Sequence, residues 1–313
     1  MGTMVNGVDI EDAKRLANKF LPHLESTQTA IPAPGFGGGF WVGACSAIEY
    51  DGYVYLAYRM RHPVTLGRGQ GVVIARSRDG VNFETIAKIS KDAMNAESLE
   101  RPTLVRTPEG TWRLYMSCAT TGTKHWRVEV IEADDPAKFD PSTHIVVLPG
   151  DKNWGVKDTV IMHRDGIWHL WATFHPLDML NQEDRMESRH AISKDGLEWK
   201  WSKGVALSPR KGMWDQRGAR ITAIFFAAQF ILAFYDGRAS AAENYEERTG
   251  IAVGTSPDKF VAIGDKPFVQ SPDGRGLRYL DIVHLSQGGY RTYFEITTDD
   301  DSHELRTERI VLP

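Results

Sequence analysis

Residues 100–117 read ERPTLVRTPEGTWRLYMS, and residues 156–173 read VKDTVIMHRDGIWHLWAT. Each stretch sets a charged residue and a threonine before an apolar run, turns at a glycine, and resumes with a tryptophan and a second apolar run. Asp-Gly or Gly-Gly between apolar runs is a hairpin signal, because glycine supplies the positive φ of a tight turn. The same hairpin recurs along the chain. Its second strand appears as YLAYR from Tyr55, RLYMS from Arg113, HLWAT from His169, ILAFY from Ile231 and RTYFE from Arg291, at steps of 58, 56, 62 and 60 residues.

Each second strand follows a shorter apolar strand: CSAIEY, RPTLVR, KDTVIM, RITAIFF and LDIVHL. A third strand follows in most units, as in GVVIARSRDG, WRVEVIEADD, SRHAISKDG and TGIAVGTSPD. Two of these end in Ser-x-Asp-Gly, at Ser77–Gly80 and Ser193–Gly196, and lead into a short aromatic strand. Units of three or four antiparallel strands, written five times, predict an all-β, five-bladed β-propeller over residues 41–313. Residues 1–40 supply a helix and a glycine-rich linker. The helix starts at Asp9, which can cap it, and carries Ile10, Ala13, Leu16, Ala17, Phe20 and Leu24 on one face. It is expected against the outside or bottom of the propeller. The linker PAPGFGGGFW has no Lys-Ser/Thr and no helix after it, so it meets neither nucleotide-binding fingerprint; a loop that leans over the pocket is its alternative role.

Composition narrows the function. A formal net charge of −4 argues against a nucleic-acid partner. Cys45 and Cys118 are too few for a disulfide framework and read as free thiols of a reducing compartment. The N-terminal segment lacks the basic and apolar regions of a secretion signal, and AIFFAAQFILAFY is interrupted by Gln229 and too short for a bilayer. The expectation is a cytoplasmic protein with no membrane partner. Nine Trp and ten Tyr suit sugar faces as well as cores. No metal motif and no nucleophile elbow is present, and no cofactor is implied. The oligomeric state leaves no signal.

In a propeller the first strand of each blade lines the central channel, so residues near its start converge. Aligning the repeats brings Arg101, Lys157, Asp158, Arg220 and Tyr279 to equivalent positions, with Glu100 and Asp281 beside them. The ends of the second strands add Arg59, Arg61, His175, Asp236, Arg238 and Glu295. Charges in such a place either pair with one another to lock the blades or face a wet pocket. The functional reading is a polar funnel for a polyhydroxylated or anionic small molecule. Candidate proton-transfer carboxylates are Asp158, Glu100, Asp236 and Asp281; Arg59, Arg61, Arg101, Lys157, His175, Arg220, Arg238, Tyr279 and Glu295 are candidate substrate contacts. The six basic residues at strand starts and ends offer planar forks or point charges for a carboxylate or phosphate.

The repeat pattern over about residues 40–313 resembles the five-bladed propeller glycoside hydrolases of families 43 and 32 and the mannoside phosphorylases of family 130. LERPTLV is similar to the phosphorylases' Glu-Asp-Pro-Arg stretch, and WDQRGARITAIFFAAQFILAFYDGRA to their Trp…Arg-Ile-Gly…Tyr-His-Gly segment. VKDTVI sits where the family-43 enzymes place an Asp that tunes the acid. The resemblance implies cleavage or phosphorolysis of a glycosidic bond. It also implies that the phosphorylases' proton donor falls at Arg101, which cannot donate, and that the family-43 base and acid fall at the uncharged GACSA and near Ala219-Arg220. Only Asp158 carries over. Three readings follow: a glycosidic-bond enzyme with relocated carboxylates; a lyase, isomerase or cyclase acting on an acidic small molecule; and a propeller that binds sugars without catalysis.

Overall fold

The computed structural model describes residues 4–5 and 7–311. Strands β1 (Met4–Val5) and β2 (Val8–Asp9) form a small hairpin that leads into helix α1 (Ile10–Ala17). Asp9 caps α1 by accepting the Glu11 and Asp12 backbone N–H groups at 2.9 and 3.4 Å. The helix is shorter than its apolar pattern predicts, because Pro22 cannot continue a helix and disfavours helical backbone in the residue before it. Phe20 lies beyond the helix yet is buried against Phe225, Phe234 and Tyr290. The N-terminal segment thus closes an apolar cluster that also holds Ala13, Leu232, Ile251 and Leu280.

Strand β3 (Gln28–Ile31) precedes four strands in antiparallel order: β4 (Trp41–Tyr50), β5 (Tyr53–Arg61), β6 (Gly69–Ser77) and β7 (Glu84–Ser90). The pattern repeats in β8 (Leu99–Arg106), β9 (Trp112–Ala119), β10 (Trp126–Ala133) and β11 (Ile145–Leu148). It repeats again in β12 (Trp154–Arg164), β13 (Ile167–Pro176), β14 (Glu187–Ser193) and β15 (Lys200–Trp201). Next come β16 (Gly218–Phe226), β17 (Ile231–Arg238), β18 (Arg248–Ser256) and β19 (Lys259–Ile263). The last run has β20 (Leu277–His284), β21 (Tyr290–Thr297) and β22 (His303–Ile310), with β3 as its fourth strand on the edge of β22. The segment before residue 41 is therefore more than a linker: it completes the sheet of the chain's last strands.

The hairpin turns have the geometry their sequences demand. Asp51-Gly52 and Asp165-Gly166 have positive φ at both positions, the signature of type I′ turns that match strand twist; in the last hairpin the Gly288 N–H closes the turn on the Leu285 carbonyl, and Gly288 and Gly289 take positive φ as the chain enters β21. The first strands pack in sequence, β4 on β8, β8 on β12, β12 on β16, β16 on β20, and β20 back on β4. They therefore surround a common axis. The glycine-rich segment before Trp41 is tied to neighbouring loops: the Gly37 N–H donates to Asp300, and Phe40 lies beside His62. No helix among the described residues is long and apolar enough to cross a membrane.

Candidate functional site

Every first strand loses register with its partner at one place. The breaks fall between Gly43 and Ser46, Glu100 and Pro102, Lys157 and Val160, Ile221 and Ala223, and Arg278 and Asp281. A bulge inserts an unpaired residue and re-aims the side chains around it. At three of the five breaks two residues are unpaired, and the first of them is in left-handed backbone: Ala44, Asp158 and Tyr279, with φ of 50°, 54° and 53°. For a bulky aromatic such as Tyr279 this conformation is strained.

The bulges divide the channel in two. Glu100, Lys157, Arg220, Arg278 and Tyr279 border a first cavity of about 370 Å³. Ser46, Arg101, Thr159, Ala223 and Asp281, which follow on the same strands, border a second of about 300 Å³. Tyr279 lies at the division. Its ring is buried among four guanidinium groups, with Arg220 at 3.9 Å, Arg278 at 5.3 Å, Arg101 at 5.7 Å and Arg59 at 5.9 Å from the centroid. Its hydroxyl lies 3.5 Å from Asp158 Oδ2.

The first cavity is built on ion pairs. Arg59 and Arg61 alternate on β5 and so project from one face, and both reach Glu100, at 2.8 and 3.0 Å. Glu247 joins Arg278 at 2.6 Å, Arg220 at 3.6 Å and also Arg238. Asp158 lies 3.2 Å from Arg220 and 3.6 Å from Lys157. Trp126 and Tyr245 supply aromatic surface, Trp126 under the Lys157 ammonium and Tyr245 under the Arg61 guanidinium. Eight Arg and Lys residues border this cavity against four Asp and Glu residues, and Asp158, Asp236 and Glu295 behind the lining pair with Lys157, Arg59, Arg220 and Arg278.

These pairings fix protonation states. Burial opposes ionisation of Glu100, but Arg59 and Arg61 outweigh it and hold its carboxyl below the usual range. Burial likewise opposes ionisation of Glu247, and Arg278, Arg220 and Arg238 together hold it well below. For Asp158, burial is overcome by Lys157 and Arg220, which leave it at about 2. Asp184 is also lowered: burial resists, but its pairing with Arg217 and the nearby Arg238 prevail. Burial pushes the Tyr279 hydroxyl well above its ordinary value despite Arg220, so it keeps its proton at neutral pH. His175 Nδ1 lies 2.8 Å from the Glu183 carbonyl oxygen, which can only accept. Nδ1 therefore carries the hydrogen and Nε2 is the bare nitrogen; burial, with Lys157 adding, holds the ring neutral down to about 3.

Of the residues singled out from sequence, Glu100, Arg59, Arg61, Lys157, His175, Arg220, Arg238 and Tyr279 border the first cavity together. Asp158 sits against this group through Arg220, Lys157 and Tyr279, fully buried. Asp236 and Glu295 lie behind the lining. Asp236 accepts the Tyr279 backbone N–H at 3.0 Å and Arg220 at 2.7 Å. Glu295 is gripped by Arg59, Arg278 and His303 at 2.8, 2.7 and 2.6 Å. Both hold arginines in place. Arg101 and Asp281 do not share the first cavity: the bulges at Glu100/Pro102 and Arg278/Asp281 turn them to the second. Asp281 accepts the Ala47 N–H at 2.7 Å there. Sequence alignment of the repeats missed Arg278, one residue before Tyr279, because it carried no bulge. It also missed Glu247, Tyr245, Trp126 and Asp184, which come from third strands and loops; Glu246-Glu247 at the head of β18 was the available signal. Among the described residues no group of three or more His, Cys, Asp or Glu is placed to hold a metal ion.

No protein-family model matches the chain, and no curated protein matches it in sequence. Solved structures match it throughout. A thermostable family-43 glycoside hydrolase superposes with a TM-score of 0.71 at 14% identity, over 91% of this chain and 93% of that one. The GH43_1 enzyme from Xanthomonas citri, solved with xylose, gives 0.65 at 13% identity over 91% of each chain. The β-1,2-mannobiose phosphorylase from Listeria innocua, solved with β-1,2-mannobiose, gives 0.59 at 14% identity over 93% and 92%. What is shared at these identities is architecture: the chain has the fold of the family-43 glycoside hydrolases and of the mannoside phosphorylases.

Proposed function

We propose that the chain is a carbohydrate-active enzyme, a five-bladed β-propeller that breaks or transfers a glycosidic bond in its first cavity, on a sugar that is anionic or with phosphate as acceptor. The observation that carries this reading is the charge of that cavity, eight Arg and Lys residues against four carboxylates, beside two aromatic faces. Arg220, Arg238 and Arg278 are the fork for the anion. Trp126 and Tyr245 are the surfaces for a sugar ring. Asp158 and Glu100, both ionised, serve as proton acceptor and as countercharge to an oxocarbenium-like transition state. The protonated Tyr279 hydroxyl is the donor to the leaving oxygen.

A second reading has specific support. Glu100, Asp184 and Glu247 are all held ionised, whereas the usual donor in glycoside hydrolysis is a carboxylic acid that keeps its proton. Elimination beside a substrate carboxylate does without one: arginines neutralise the carboxylate, a base takes the adjacent C–H proton, the C–O bond breaks, and Tyr279 protonates the departing oxygen as a C=C bond forms.

Product analysis over neutral and acidic glycosides, with and without inorganic phosphate, tests both readings on wild type and Asp158→Asn. Sugar phosphates formed only with phosphate support phosphorolysis, and reducing ends without new ultraviolet absorbance support hydrolysis. An unsaturated product supports elimination. Binding of every glycoside with conversion of none, by folded protein, overturns catalysis in favour of a sugar-binding propeller.

A further inference from the structure

The second cavity contains a buried cation that no carboxylate touches. Arg101 is 2% exposed. Its Nη2 donates to the Thr222 carbonyl at 2.6 Å, while Nε and Nη1 have no hydrogen-bond partner and no carboxylate among the described residues pairs with it. A buried guanidinium without a counter-ion costs several kcal/mol, and the usual remedies are an ion pair or a bound anion. Its neighbours supply only part of the first. Asp281 borders the same cavity and attracts Arg101 through space, but the two make no ion-pair contact, and Asp281 accepts the Ala47 N–H instead. The remaining titratable groups on the lining are Arg106 and His163.

Most of the rest of the lining is apolar, with Leu104, Ile161, Trp168 and Ile224 among its walls, and the hydroxyls of Ser46, Thr103 and Thr159 are engaged within and between the strands. A volume of about 300 Å³ is at the lower end for small-molecule sites, roughly 300–1,000 Å³. One buried cation against apolar walls matches a monoanion that has an apolar body; a phosphate dianion would need more donors and would leave the walls unused. We infer that the second cavity is a binding site for a small carboxylic acid, its carboxylate on Arg101 and its apolar body between Ile161, Trp168 and Ile224. The site is independent of the first cavity and stands whether or not that cavity acts on sugars.

Sodium benzoate is the probe, followed by tryptophan fluorescence, which Trp168 reports, and by the shift in thermal midpoint. Wild type is expected to bind benzoate saturably and at least tenfold more tightly than benzyl alcohol, sodium chloride or phosphate at equal ionic strength. Arg101→Met, which removes the charge at similar length, is expected to lose at least tenfold in affinity while folding at least as stably. Ile161→Phe, which narrows the second cavity at a position that does not border the first, is expected to lose binding with Arg101 intact. No saturable binding by wild type overturns the proposal. So does equal binding of benzyl alcohol or inorganic anions, or unchanged affinity in Arg101→Met. Benzoate affinity that survives in both variants puts the anion in the first cavity and overturns it equally.

Discussion

At Asp158 three demands meet in one residue: left-handed backbone, complete burial, and two cations at its carboxylate. Aspartate tolerates positive φ better than most side chains, and the cations hold it at about 2, against an ordinary 3.8. A carboxyl depressed in the folded state contributes stability that is present above its unfolded pKa and lost as the pH falls. For Asp158 that is about 2 kcal/mol, lost between pH 4 and pH 2. Glu100, Glu247 and Glu295, also lowered by their arginines against burial, act in the same direction. Above pH 4 other groups act. His175 and His190, lowered by burial to about 3 and about 4, and His169 and His125, also lowered by burial, lose stability as the pH falls; Asp236, raised by burial to about 6, and Asp281, also raised by burial, gain it. Urea midpoints are therefore expected to fall gradually from pH 7 to 4 and more steeply below 4; a midpoint that stays level below pH 4 would contradict the pairing scheme. Tyr279→Phe keeps the ring among its arginines and removes only the hydroxyl. On the proposed roles it lowers kcat by about 10²-fold or more with little change in urea midpoint, and unchanged kcat would remove Tyr279 from the chemistry.

At the scale of strands, the repeat and its hairpins were legible because turn chemistry and apolar periodicity are local. The Ser-x-Asp-Gly segments show how local signals become packing. Tyr115 donates its hydroxyl to the Gly196 carbonyl at 2.8 Å, with Arg113 bound to the Asp195 carbonyl; Tyr293 does the same to Gly80 at 2.8 Å, with Arg291 on the Asp79 carbonyl. The Arg-x-Tyr of a second strand thus locks the turn of the neighbouring run. Tyr115→Phe is expected to cost about 1 kcal/mol in urea unfolding, and a change within error would show that the lock is not a source of stability. The bulges were not legible. A register break is set by contacts between strands, and a slip of one residue reverses which face a side chain occupies. That is why Arg101 and Asp281 were expected in the first cavity and Arg278 was overlooked. Gly43 marks the bulge of β4, where an added Cβ would collide with the Glu295 carboxylate. Gly43→Ala is expected to displace Glu295 from Arg59 and Arg278 and to destabilise by about 1–3 kcal/mol or more; a neutral urea midpoint would show that the packing there is loose.

Over the whole molecule, charge is sorted by place. The chain is net acidic, yet its first strands and loops gather Arg and Lys side chains at one end of the channel, and it is on that concentration of cations that the proposed anionic substrate rests. The fold could be read from the five-fold repeat, and the polar funnel from the charges at strand starts. The division of the channel could not, because it depends on bulges that only the folded sheets reveal. The measurement that tests the account most directly compares turnover of a glycoside of a uronic acid with that of its methyl ester, which differs only in charge, across a range of ionic strength. The account predicts that the acid is converted at least tenfold faster by kcat/KM and that this advantage shrinks as salt screens the cavity. Equal conversion of acid and ester at every salt concentration would contradict it.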